Sequence, residues 1–159
     1  LSIRRQRQMC IRDRGSGITP AISILKSVLK NESKSSFVLV YGNKSPEETI
    51  FHQELHDLQS QYVGRLFVQY VYSQSKADGA LSGRIDKSTV NYILKEKHAS
   101  LNFDKFYLCG PEEMINTVSD ALKEKNFKES DIKFELFSTS TKEHAIEKSL
   151  DGHLSLIHI

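Results

Sequence analysis

Apolar residues at Ile18, Ile22, Leu25 and Leu29 recur at i, i+4, i+7 and i+11, the spacing of a helix with one buried face. A polar turn over residues 31–36 leads to Phe37-Val38-Leu39-Val40-Tyr41. This continuous apolar run ends at Gly42, as a strand buried on both faces reads. Ser45-Pro46-Glu47-Glu48 has the form of a capping box with proline at the first helical position. The helix it predicts shows Phe51, Leu55, Leu58 and Tyr62 on one face. Residues 66–72 read as a second strand, and residues 73–85 as a polar loop holding Gly79 and Gly83. Asp86 can cap a helix containing Val90, Ile93 and Leu94. Phe106-Tyr107-Leu108-Cys109 is a third strand, and Gly110-Pro111-Glu112-Glu113 opens a helix with Ile115, Val118 and Leu122 inside. Residues 132–137 alternate, as an edge strand with one wetter face should.

Strand and helix alternate throughout, so the expected class is α/β: a doubly wound parallel sheet with helices on both faces. In such a sheet every strand-to-helix turn lies at the carboxyl edge, where ligands bind. The chain's three prolines, Pro20, Pro46 and Pro111, all fall in first helical turns at that edge. Gly15-Ser16-Gly17-Ile18-Thr19-Pro20 is the most suggestive of these turns. Its glycines let a ligand approach the main chain, Thr19 can cap the following helix, and the helix N-terminus attracts phosphate. The motif lacks the third glycine of the dinucleotide fingerprint. It gains weight only because three such loops converge on one rim.

Composition narrows the class without changing it. Hydrophobic content of 38%, charged content of 26% and a net charge of +2 are those of a globular domain with no polyelectrolyte partner. Cys10 and Cys109 form no C-x-x-C pair, so neither a disulfide framework nor a zinc site is expected. No apolar run has the length of a membrane span and no secretory signal is recognisable, so a cytoplasmic location is the default. Residues 1–14 carry five arginines and lack the Val/Ile/Leu run expected of a buried strand ahead of a glycine turn. The ending Leu154-Ser155-Leu156-Ile157-His158-Ile159 is equally out of character. Both ends read as foreign sequence joined to a fragment. The expected organisation is therefore a leader over 1–14, a nucleotide-binding domain over 15–138, and a linker with a truncated remnant over 139–159.

The end of the strand at Gly42 bears on the nucleotide. An acid there would bond the ribose 2′-hydroxyl of NAD, whereas a basic residue accommodates the 2′-phosphate of NADP. The sequence reads Gly42-Asn43-Lys44-Ser45, with no acid before Glu47. Lys44 and Ser45 could hold a phosphate, or be a solvated lysine and a simple cap.

Five stretches in order, Gly15–Pro20, Val40–Ser45, Gly83-Arg84-Ile85-Asp86, Cys109–Met114 and Phe134–Phe137, give a specific resemblance. The chain resembles the pyridine-nucleotide domain of the ferredoxin–NADP reductase superfamily, and is most similar to oxygenase reductases of the phenylacetyl-CoA epoxidase type. The resemblance implies that Gly15, Ser16, Gly17, Thr19 and Pro20 cradle the pyrophosphate and nicotinamide ribose. It implies that Asn43, Lys44 and Ser45 meet the adenosine end, with Ser73 and Gln74 near the same phosphate. Cys109, Gly110 and Pro111 would sit beside the nicotinamide, and Glu135 and Phe137 would approach the flavin and nicotinamide rings. The implied chemistry is hydride transfer from NADPH (or NADH) to FAD, and onward to a 2Fe-2S cluster and an oxygenase or other acceptor. The flavin barrel and the iron–sulfur domain are missing from these 159 residues, so the chain is expected to bind neither group and to be inactive alone.

Other readings find less support in the residues. His52-Gln53-Glu54-Leu55-His56 places two histidines on one helix face, but the metalloprotease motif needs glutamate where Gln53 stands, and no metal is expected. Cys109 could be a buried core thiol. A non-enzymatic doubly wound phosphate- or nucleotide-binding module is the alternative. Its receiver-like form needs acids at strand ends, where Lys44, Gln74 and Cys109 stand. A nucleic-acid binder would have to rely on Arg4, Arg5, Arg7, Arg12 and Arg14, and is not expected.

Overall fold

The computed structural model describes residues 7–13, 18–98 and 102–136. Six parallel strands form one sheet in the order β4-β3-β2-β1-β5-β6. They are β1 (Arg7–Asp13), β2 (Ser36–Asn43), β3 (Leu66–Tyr72), β4 (Leu81–Ser82), β5 (Lys105–Gly110) and β6 (Ile132–Leu136). The helices are α1 (Ile18–Asn31), α2 (His52–Gln61), α3 (Lys87–Tyr92), which continues into a π turn over Ile93–Lys97, and α4 (Glu112–Glu124).

All eight residues of β2 are buried, as its apolar run predicts. Alternation along the strands then makes two cores. Phe37, Leu39 and Tyr41 face α1 and α2, where Ile22, Leu25, Leu29 and Leu55 meet them. Val38 and Val40 face α3 and α4, where Val90, Ile93, Ile115, Val118 and Leu122 meet them. Asp86 caps α3 as expected, in a reciprocal box with Thr89. The alternating segment at 132–136 is indeed an edge strand.

Four local points complete or correct the reading of the residues. First, residues 7–13, whose composition left their part in the sheet open, supply a strand, and a central one: β1 pairs with β2 over seven residues and with β5 over five. Met9 and Ile11 enter one core and Cys10 the other, while Gln8 and Arg12 are only 3% and 2% exposed. Backbone pairing on both sides recruits this segment despite its composition. Second, Ser45-Pro46-Glu47-Glu48 opens only a 3₁₀ turn over Pro46–Glu48, with no side-chain cap from Ser45. Thr49 leaves the helical region, and Phe51 is left-handed (φ 62) and exposed, so α2 starts afresh at His52. His52 stacks on Tyr70 with ring centroids 5.1 Å apart. Third, α1 begins at Ile18, so Thr19 stands in the first turn rather than ahead of it. Fourth, the 73–85 loop contains β4, whose two residues pair with Val71 and Tyr72.

Candidate functional site at the carboxyl edge

β3 and β2 end side by side at Tyr72 and Asn43, and β5 ends at the same edge at Gly110, across β1 from β2. Between β2 and β3 the ladder of backbone bonds runs past the strand ends. The Ser73 amide donates to the Asn43 carbonyl and the Gln74 amide to the Lys44 carbonyl, both at 3.0 Å. The Gly83 amide donates to the Tyr72 carbonyl at 2.9 Å, which brings the next loop in.

These bonds frame a pocket of about 60 Å³ lined by Gly42, Asn43, Lys44, Val71, Ser73, Gln74, Gly83, Arg84 and Ile85. Its two charged residues, Lys44 and Arg84, are both basic. The Asn43 side chain is buried and lies beside the Tyr41 hydroxyl, yet its amide nitrogen makes no hydrogen bond of full geometry. The Ser73 and Gln74 main-chain amides are already bonded, and the side chains of Lys44, Arg84, Ser73 and Gln74 offer donors to an anion here.

Arg84 and Ile85 also line an adjoining pocket of about 260 Å³ with Asp86, Pro111, Glu113, Met114 and Thr117. Ile85 and Met114 belong to the α3/α4 core, so the groove opens on that side of the sheet. One end of the groove is thus small and cationic, while the other is wider with apolar walls from Ile85, Pro111 and Met114. Pro111 (φ −61, ψ 149) takes the N-cap position of α4, whose first turn carries Glu112 and Glu113. Gly110 has φ 154, a backbone that side chains rarely adopt, at the turn out of β5.

The structure therefore brings Asn43, Lys44, Ser73 and Gln74 together, and sets Pro111 in the neighbouring pocket with Gly110 beside it. Ser45 stands at the N-cap position of the 3₁₀ turn without a side-chain bond to it, and lines neither pocket. Cys109 is not in the groove. It is 4% exposed and turns to the α1/α2 face, opposite Leu108, where the Arg12 guanidinium donates to its Sγ. Glu135 stands beside Cys109 in register on β6. Thr19 and Pro20 lie in the first turn of α1. Gly15, Ser16, Gly17 and Phe137 lie outside the described residues.

Arg84 and Ile85, shared by both pockets, were absent from the sequence-derived site. Their only signal was the stretch Gly83-Arg84-Ile85-Asp86, a basic residue between a turn glycine and a helix cap. Beneath the site, burial raises the hydroxyls of Tyr41, to about 12, and of Tyr72. Both remain neutral donors and acceptors at physiological pH.

Residues 14–120 match the family described as oxidoreductase NAD-binding domain. One component of the 1,2-phenylacetyl-CoA epoxidase of Escherichia coli (strain K12) is 34% identical over 126 residues, covering 79% of this chain and 35% of that protein. NADH-cytochrome b5 reductase 2 from Lodderomyces elongisporus is 28% identical over 106 residues, covering 66% of this chain and 35% of that protein. The chain thus spans about a third of the length of these relatives. Among solved structures, a ferredoxin NADP+ reductase from Neisseria gonorrhoeae with bound FAD and NADP superposes with a TM-score of 0.66. That match has 23% identity and covers 83% of this chain and 55% of that one. The CS-b5R domains of human Ncb5or superpose with a TM-score of 0.69 at 24% identity, covering 82% and 36%. The shared parallel sheet, the groove at its carboxyl edge and the match over two thirds of its length establish that this chain belongs to the oxidoreductase NAD-binding domain family, with the ferredoxin–NADP reductase type of fold.

Proposed function

We propose that the groove holds NADPH by its adenosine end, presenting the nicotinamide for hydride transfer to a flavin held by another domain of a longer reductase. The observation that carries this is the pairing of Lys44 and Arg84 around Asn43, Ser73 and Gln74, open to a slot walled by Ile85, Pro111 and Met114. The fit is chemical. Two cations and a hydroxyl suit a 2′-phosphate through charge-assisted hydrogen bonds. Apolar walls suit the faces of an adenine ring. FAD, when bound in such a reductase, accepts the hydride as two electrons and one proton at N5. In this proposal the residues of this chain bind and orient the donor, with Gly15, Gly17 and Thr19 serving the pyrophosphate and Glu135 and Phe137 the reacting rings, while Cys109, buried on the other face, has no contact with them. A 2Fe-2S centre and an oxygenase are the proposed onward acceptors, by likeness to the epoxidase component.

The test is equilibrium titration of the chain with NADPH and NADH. Lys44→Ala and Arg84→Ala should each weaken NADPH by about 1–2 kcal/mol, the size of a hydrogen bond to a charged group, and leave NADH unchanged. Equal losses for both dinucleotides would remove the 2′-phosphate from this pocket.

A further inference from the structure

Gln69 sits in β3 on the face turned toward α3, between Phe67 and Val71 of that core, and is 2% exposed. An aliphatic side chain would serve the packing at this position. The amide instead joins three segments. Its Nε2 donates to the Tyr70 carbonyl at 2.9 Å and to the Gly79 carbonyl at 3.1 Å. Its Oε1 accepts from the ammonium of Lys97, which reaches in from the end of the π turn. Every N–H of the amide is used, and the cation behind Oε1 polarises the group toward its two acceptors.

Gly79 lies where the loop after β3 turns back toward the sheet. Two residues later begins β4, held to β3 by only two residue pairs, and then come Gly83 and Arg84. The Gln69 bond to Gly79 is therefore an added anchor just ahead of the weakest strand and of the pocket's arginine. We infer that Gln69 and Lys97 are positioning residues for the anion pocket: their hydrogen-bond chain pins the returning loop at Gly79 and so sets where Arg84 stands. An apolar residue at 69 would leave the Gly79 carbonyl without this donor and release the loop while preserving the core. The consequence for binding rests on the proposed role of Arg84 with a 2′-phosphate, whereas the loop anchor itself does not.

The experiment uses the full 159-residue chain as wild type, Gln69→Leu, Lys97→Met and Lys97→Arg. Amide hydrogen exchange is read at residues 73–83, and calorimetry is run with adenosine 2′,5′-bisphosphate and 5′-AMP. Gln69→Leu and Lys97→Met should speed exchange over 73–83 while β1 and β2 stay protected. Both should lower the preference for the bisphosphate over AMP by about tenfold, as for one lost hydrogen bond to a charged group. Lys97→Arg, which can still donate to Gln69, should retain both properties. Unchanged exchange over 73–83 in both variants overturns the inference, as does faster exchange with an unaltered bisphosphate preference. Faster exchange in a wild-type background that shows no bisphosphate preference supports the anchor and overturns the phosphate reading instead. Should Gln69→Leu fail to fold, Lys97→Met alone decides the matter, because it leaves the buried amide in place.

Discussion

β1 and β2 lie side by side at the centre of the sheet, in register from Arg7 opposite Ser36 to Asp13 opposite Gly42. Both are buried, but they are built differently. β2 supplies Phe37, Val38, Leu39, Val40 and Tyr41, all with no exposed surface. β1 supplies Met9, Cys10 and Ile11 between Gln8 and Arg12, so an amide and a guanidinium enter where neighbours are apolar. Arg12 is held by register between Tyr41 and Cys109, and donates to the latter's sulfur. The backbone ladder on two sides is enough to define a strand. What it cannot supply is the transfer free energy of the missing aliphatic side chains.

The largest effect should come from exchanging residues 8–14 for an apolar strand ending in alanine. Aliphatic side chains in place of Gln8 and Arg12 contribute about 1.5–3 kcal/mol each, or roughly 3–6 kcal/mol together. Thermal unfolding by circular dichroism should then become steeper and move upward. An unaltered melt would mean that β1 is already as good a strand as β2.

Leu39→Ala probes the other side of the comparison. This fully buried leucine should cost about 2–5 kcal/mol in urea unfolding, through lost transfer and a cavity. In a chain already weakened at β1, that loss should remove the cooperative transition altogether. Cys10→Ala, beside it in register, should cost less.

Alkaline pH gives the most selective contrast. Burial raises the Cys10 thiol from 9.0 to about 12, with the Arg12 charge opposing the shift. The folded state thus holds a proton that the unfolded chain releases above pH 9. The stability this contributes is complete below pH 9 and is lost as pH rises toward 12, by at most about 1.4 kcal/mol per unit. Cys10→Val should flatten β1's share of the decline and Tyr41→Phe that of β2, seen as melting temperature against pH.

The same contrast explains what could be read from residues alone. β2 was legible because each of its core positions is apolar, and α3 because Asp86 and Thr89 form their box locally. β1 was not, since its strand character comes from partners far away in sequence. β4 was hidden for a related reason: two residues carry no periodicity, and only pairing with Val71 and Tyr72 makes them a strand. At the site, Lys44 and Ser45 were proposed from the strand end at Gly42, whereas Asn43, Ser73 and Gln74 came only from resemblance to a family. Arg84 follows a loop whose course depends on contacts such as Gln69 with Gly79, which no local pattern announces.

The bonds from the Ser73 and Gln74 amides to the Asn43 and Lys44 carbonyls join main chain to main chain. They are indifferent to which side chains occupy those four positions. Residues 44, 73 and 74 can therefore be exchanged without shifting the frame that carries them, proline at 73 or 74 excepted, since it has no amide hydrogen. A change of charge at Lys44 alters what the pocket attracts and leaves its walls where they were. If the pocket receives the 2′-phosphate as proposed, preference for one dinucleotide over another is open to single substitutions, in evolution or in the laboratory, with no intermediate that must pass through a broken fold.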